Sequence, residues 1–402
     1  MPIPSRCLLA AAVFWSATAA ARAAFTVPGF ELVYTAPIET TLQRPELRSA
    51  AAVWPELLDS ARQTIDIAEF YVAVTTRSGE PLDPVIAALR RAGARGVRIR
   101  FLAEKKMARI SEEGFARLRD IPNLELRVID FSQIKKDGIV HAKYMVIDNR
   151  TAYVGSQNFD WRSLKHIHEM GLLISEADIV AAAGKIFEQD WKAQALSASG
   201  KPVLPLQKTR PAAAADRRAY LVASPWSFNP PGVGDSELEL TRLIETANDN
   251  LSIQLLDYAP LSRDRRFYPP IDNALRDAAV RGVRVKLMVS NWNTASPEIA
   301  HLKSLSLVPG IEVRIVTIPE SSDGFIPFAR VIHSKYMVID GNALWLGTSN
   351  WSGGYLDNSR NLEVVVKDEA LARETLEIHH QLWTSAYSQP IDIAKNYPRP
   401  RK

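Results

Sequence analysis

Two histidines, His141 and His333, each open the same string, His-x-Lys-x4-Asp-x6-Gly-(Ser/Thr)-x-Asn. The first copy is His141, Lys143, Asp148, Gly155, Ser156 and Asn158; the second is His333, Lys335, Asp340, Gly347, Thr348 and Asn350. Side chains two apart on an extended strand share a face, so His141 pairs with Lys143 and Ser156 with Asn158, and likewise in the second copy. Each copy therefore offers an imidazole, a cation, a hydroxyl and an amide to one surface. A phosphodiester resists attack because its charge repels nucleophiles. Lys143 and Lys335 can neutralise its nonbridging oxygens as point charges, helped by hydrogen bonds from Asn158, Asn350, Ser156 and Thr348. One neutral imidazole then attacks phosphorus, while the other, protonated, gives its proton to the leaving alkoxide and afterwards activates water or an alcohol. This chemistry uses no metal and no other cofactor.

Such a division of labour requires the two rings to differ in protonation, which the partner of each ring nitrogen controls. Glu169 and Glu363 lie downstream of the two strings at similar distance, each beside an expected strand, and are the candidate orienters. Asp148 and Asp340 fall where hairpin turns are expected and read as structural.

The elements that must position these groups are themselves duplicated. TIDIAEFY (64–71) matches NLSIQLLDY (250–258), RAGARGVRIRFL (91–102) matches DAAVRGVRVKLM (277–288), and NLELRVI (123–129) matches GIEVRIV (310–316). The offset is near 186 residues and reaches 192 at the histidines. This is a repeat of domain size rather than a solenoid. Each half reads as strand, helix, strand, helix, strand, then a hairpin carrying the string, a further strand and a helix. Residues 84–92 have helical apolar spacing at Val85, Ile86 and Leu89, with Gly93 as an expected stop. Alternating strands and helices predict layered α/β halves with mixed sheets flanked by helices. The expected organisation is a first half at 24–196, a linker rich in Pro, Ala and Ser at 197–218, a second half at 219–392 and a tail at 393–402.

Residues 1–23 read as a secretory signal, with Arg6 as the charged region, an alanine-rich apolar run from Leu8 to Ala21, and Ala21-Arg22-Ala23 as a cleavage site. The apolar run is shorter than the roughly 20 residues that span a bilayer. Export to the periplasm or the medium is the expectation. Cys7 is the only cysteine and lies inside that segment, so thiolate zinc sites are excluded from the remainder. Loss of Arg6 and Arg22, with no acid, would reduce the formal charge from +4 to +2, too little to argue for nucleic acid on charge alone.

The two strings resemble the HKD signatures of the phospholipase D superfamily. The wording around them, in GSQNFDWRSL (155–164), LDYAP (256–260), RVIHSKYMV (330–338) and GTSNWSG (347–353), is similar to the animal lysosomal phospholipase D-like exonucleases and their poxvirus relatives, from about Glu31 to about Pro390. The resemblance implies two α/β halves about a pseudo-twofold axis with one metal-free active site at their junction. It implies that Glu363 orients His141 and Glu169 orients His333, across the halves. It further implies exonuclease action on single-stranded DNA or RNA from the 5′ end, with phospholipase or phosphatidyltransferase activity as the alternative. The chain departs from these relatives in lacking disulfide-forming cysteines.

Other features read more plainly. His166 and His168 are spaced as a metal pair but have no third ligand in evidence, and are read as surface or packing residues. His301, His379 and His380 are read as solvated helix positions. Tyr258 and Trp351 are the expected base-stacking residues among Phe70, Tyr71, Tyr258, Trp292 and Trp351. Arg263, Asp264, Arg265 and Arg266 form a charged loop, by default solvated. The expected partner is single-stranded nucleic acid, with phospholipid as the alternative. A homodimer is compatible with the sequence and not required, since both strings are in one chain.

Overall fold

The alternating apolar residues of each half build a sheet that is covered on both faces. The computed structural model describes residues 24–77, 79–212 and 217–402, so the expected signal segment lies outside the described residues. In the first half the main strands lie side by side in the order 30–35, 169–174, 151–155, 144–147, 64–69, 98–104 and 124–129. In the second half the order is 219–224, 361–367, 343–347, 336–339, 250–255, 284–290 and 311–316, which is the same topology. The last three of each set run parallel and the rest antiparallel. Both halves are thus α/β with mixed sheets.

Three large cores result. One lies outside each sheet, and the third is shared, with Tyr144, Val146, Leu172 and Phe187 of the first half packed in one cluster with Tyr336, Val338, Leu344 and Val364 of the second. The long helix Ala177–Ala198 and the helix Glu369–Thr384 both contribute to this shared layer. No helix or strand occurs between Ser199 and Arg218 among the described residues.

The hairpins are closed by residues that tolerate positive φ. Asp148 and Asn149 stand at 52° each, and Asp340 and Gly341 at 48° and 69°, the dihedral signature of a type I′ turn. The Asp148 carboxylate also accepts the backbone N–H groups of Arg62, Gln63 and Thr64, and Asp340 those of Asn248, Asp249 and Asn250. The two motif aspartates therefore tie each hairpin to the start of its neighbouring strand.

One local expectation fails. Gly93 does not stop its helix, which runs Leu82–Ala94; the left-handed residue after it is Gly96, at φ +87°. Gly93 is instead a close-approach position, where a Cβ would lie 2.0 Å from the Pro122 carbonyl oxygen. Gly93→Ala is expected to lower the unfolding free energy by about 1–3 kcal/mol in a denaturant titration, the range for overpacking; an unchanged midpoint would contradict this reading.

Candidate active site

Each motif histidine sits just before the first strand of its hairpin, on a segment that pairs with the opposite half. The His141 N–H donates to the Arg360 carbonyl (2.9 Å) and the Arg360 N–H to the Ile139 carbonyl (2.8 Å). In mirror fashion the His168 N–H donates to Val331 (3.0 Å) and the His333 N–H to His168 (2.9 Å). These two short parallel bridges, Val140 to Arg360 and His168 to Ile332, bring the residue following each partner against the other half's imidazole.

Those residues are Asn361 and Glu169. The His333 Nδ1 lies 2.9 and 3.0 Å from the two Glu169 oxygens, whereas the His141 Nδ1 lies 3.0 Å from the Asn361 Oδ1. A carboxylate can only accept, so the Nδ1–H of His333 donates and its Nε2 is the free nitrogen. The same tautomer holds for His141, because the Asn361 amide orientation is set by its own donation to the Tyr355 carbonyl (3.0 Å).

Glu363 does not meet His141. Strand register explains why: Gly155 faces Gly171 in the first half, and Gly347 faces Glu363 in the second. Glu363 therefore occupies the place of Gly171, and Asn361 the place of Glu169. The Glu363 carboxylate instead accepts from Ser236 and from Ser349 (2.5 Å). A Cβ on Gly347 would lie 2.4 Å from the Glu363 Cγ, so the motif glycine clears space for that side chain. Burial pushes the Glu363 carboxyl up to about 7 against the two serine hydrogen bonds.

Ser156 and Thr348 serve the orienters, and both are fully buried. The Ser156 Oγ donates to Glu169 (2.5 Å) and accepts the Met170 N–H; the Thr348 Oγ1 donates to Asn361 (2.9 Å) and accepts the Leu362 N–H. Both hydroxyls are thus engaged with the orienters. Tyr258 and Trp351 are likewise about 1% exposed in the outer core of the second half, and the Tyr258 hydroxyl donates to Asp272 (2.6 Å). Their apolar bulk outweighed their position at strand ends. His166 and His168 are buried packing residues, and His379, expected to be solvated, is buried as well.

Lys143 and Lys335 are about 1% exposed, and each Nζ donates to the carbonyl of its own histidine, at 2.5 and 2.6 Å. Burial first, and then the charge of Lys335, holds Lys143 well below the ordinary lysine range. Burial brings Lys335 down to about 7, with Glu169 and Asp257 opposing it. Glu69, at the end of its strand, is buried with one carboxylate oxygen unpartnered among the described residues, and faces Lys143 electrostatically. The amide oxygens of Asn158 and Asn350 are buried and unpartnered in the same sense.

The imidazoles differ. Burial, then Lys143 and Lys335, hold His141 well below the ordinary histidine range. Burial also lowers His333, but there the Glu169 charge opposes it. Burial alone would raise Glu169, yet His333, Lys335 and Ser156 together keep it below the usual carboxylate range. The arrangement is thus a buried pair of cations flanked by one imidazole on a neutral amide and one on a carboxylate. It can bind a phosphate monoanion, attack it from one side and protonate its leaving group from the other.

Asn361 could have been found by counting, since it follows His333 by the same 28 residues that separate Glu169 from His141. Residue type drew attention to Glu363 instead.

Residues 55–191 and 240–383 match the family model described as "Cardiolipin synthase, PLD-like domain". The chain is 32% identical over 381 residues to the 5'-3' exonuclease PLD3 of Xenopus laevis, covering 86% of this chain and 77% of that protein. It is 30% identical over 380 residues to a probable phospholipase D of Caenorhabditis elegans, covering 85% and 67%. It is 31% identical over 370 residues to phospholipase D Z of Dictyostelium discoideum, covering 84% and 85%. Among solved structures it resembles phosphatidylserine synthase of Haemophilus influenzae, with a TM-score of 0.58, 13% identity and 85% of each chain covered. It also resembles polyphosphate kinase of Porphyromonas gingivalis, with a TM-score of 0.56 and 16% identity, over 91% of this chain and 49% of that chain. At these identities the structures speak for the fold alone.

Asn361→Asp places a carboxylate on His141 and raises its proton affinity. The acid limb of kcat/KM against pH is expected to move up by about 1–3 pH units; a profile superimposable on the wild type would show that Asn361 does not govern this ring.

Proposed function

The chain belongs to the phospholipase D family of phosphodiesterases, and from that premise we propose that it is an exported single-stranded nucleic-acid 5′ exonuclease working through a phosphohistidine. The observation that carries the mechanism is the unlike pair of Nδ1 partners, Asn361 on His141 and Glu169 on His333. A neutral amide stabilises an imidazolium less than a carboxylate does, and burial with Lys143 and Lys335 outweighs it, so His141 stays neutral and its Nε2 lone pair is free to attack phosphorus. A carboxylate favours the imidazolium, so His333 is the ring that holds the proton.

In the first step the His141 Nε2–P bond forms and the P–O bond to the leaving alkoxide breaks, with the His333 proton passing to that oxygen. In the second step neutral His333 takes a proton from water, the water oxygen bonds to phosphorus, and the N–P bond breaks. Lys143 and Lys335 hold the nonbridging oxygens throughout, with the amides of Asn158 and Asn350 as the accompanying hydrogen-bond donors.

Nucleic acid rather than lipid is supported by the ground beside the site. A cavity of about 410 Å3 opens there, where Phe70, Tyr355, Lys106, Arg263 and Arg265 line it alongside apolar residues such as Leu261 and the acid Glu298. Aromatic and cationic groups in one groove suit a single strand. No described helix is long and apolar enough to cross a membrane. Export rests on the signal-like residues 1–23.

The test is incubation of the protein with 5′-hydroxyl and 5′-phosphate single-stranded oligonucleotides, duplex DNA and phospholipid vesicles. Shortening of single strands from the 5′ end is expected, abolished by His141→Ala or His333→Ala and insensitive to EDTA. Headgroup release without any shortening would overturn the nuclease reading. The pH profile follows from Lys335: protonated below about 7 in the free enzyme, it loses its charge, and with it phosphate affinity, as pH rises. Because His141 titrates well below the ordinary range, the acid limb lies lower still. Lys143 and His333, which must also carry their protons, are likewise held below their ordinary ranges, so kcat/KM is expected to be highest on the acid side of neutrality and to have fallen away once pH passes about 7; a profile still rising above pH 8 would refute it.

A further inference from the structure

The pseudo-symmetry of the site breaks at two aromatic rings. Phe70 lies edge-to-face with His141 at a centroid distance of 5.0 Å and an interplanar angle of 64°, and Tyr355 at 4.9 Å and 72°. One ring comes from each half, so His141 sits between them. Around His333 the corresponding positions are Leu256, by strand register, and Ser163, by the 192-residue offset of the motifs. Neither can stack.

Both rings are half-buried and both line the cavity beside the site. Its volume of about 410 Å3 falls within the ordinary range for a small-ligand site. The loop that carries Arg263 is anchored over one of the rings: the Arg263 guanidinium carbon lies 5.8 Å from the Tyr355 centroid, and its Nη2 donates to the Ser359 Oγ at 2.8 Å. The Lys143 Nζ lies 5.3 Å from the Phe70 centroid, which ties that ring to the phosphate-binding cation.

We propose that Phe70 and Tyr355 hold the base of the terminal nucleotide whose phosphodiester reaches His141, so that only an unpaired, unstacked base can enter. This rests on the nucleic-acid reading above and adds to it the two residues that select single strands. A flat π-face suits every base, so the pocket is sequence-tolerant. A base held in a duplex has both faces covered by its neighbours and its edge paired, and cannot present a face to either ring. Arg263 and Arg265, on the same cavity, then face the phosphates that follow.

The experiment compares a single-stranded oligonucleotide with an ordinary terminal nucleotide against its twin carrying an abasic tetrahydrofuran residue there. Wild type is expected to prefer the base-bearing strand in kcat/KM by about 5- to 150-fold, the range that stacking of one base supplies. Phe70→Leu and Tyr355→Leu, checked for folding by circular dichroism, are expected to bring that ratio toward one, while Tyr355→Phe retains it. A merely structural role would slow both oligonucleotides alike and leave the ratio unchanged, and that result, or equal wild-type rates on the two, would overturn the proposal with the nuclease reading intact. Release of lipid headgroups without shortening of either oligonucleotide would remove the nuclease reading and the base clamp together.

Discussion

The active-site geometry depends on two short strand pairings between the halves, each a pair of main-chain hydrogen bonds. They are buried, so their polar groups have no water to fall back on and the pairing is enforced. Arg360, which makes one of them, is fully buried, and all of its N–H groups are used: two sides to Asp190, and the rest to Ser224, Phe228 and Asn229. Asp190 belongs to the long helix of the first half, so the ion pair fastens the halves together next to His141. Removing one partner of such a pair leaves an uncompensated buried charge, typically at a cost of about 3–5 kcal/mol. The pseudo-equivalent of Arg360 is His168, whose ring meets Gln254 and Ser334 instead. Backbone pairing is shared by the two sides, and the side-chain lock is not.

A second constraint is electrostatic. Two lysines are held out of water, with Glu69, Glu169 and Asp257 opposing their loss of charge. Burying a cation is unfavourable unless it is paired. A phosphate monoanion between the lysines relieves this, so substrate supplies a counter-charge that the fold leaves incomplete. Burial first, and then the same field, lowers the two imidazoles, and only His333 has a carboxylate opposing it.

Much of this was legible in the sequence, because the repeat states the topology and the motif spacing twice over. The hairpin turns followed from Asp148 and Asp340, whose short polar side chains tolerate positive φ. What failed was inference by residue type across a register. Glu363 was the carboxylate nearest in spacing, but it shares its strand face with Asn361 two residues earlier, and which of the two meets the histidine is decided by pairing with the other half. Tyr258 and Trp351 failed for a related reason: their segments resemble exonuclease-like relatives, yet burial cannot be read from a segment that ends a strand over a hydrophobic layer. Tyr355 went unnoticed because its contact with His141 spans 214 positions of chain and has no local pattern. Gly93 was read as a helix stop when its role is to admit a carbonyl from a distant loop.

The crossed arrangement, in which each half orients the other's histidine, bears on ancestry. Two identical halves brought together as a homodimer would build the same site, but any change at the orienting position would appear on both sides at once, giving two carboxylates or two amides. The mixed pair of Glu169 and Asn361 is closed to a homodimer and open to a chain that carries both copies. Holding both halves in one chain thus does more than secure assembly: it lets one histidine be tuned without retuning the other.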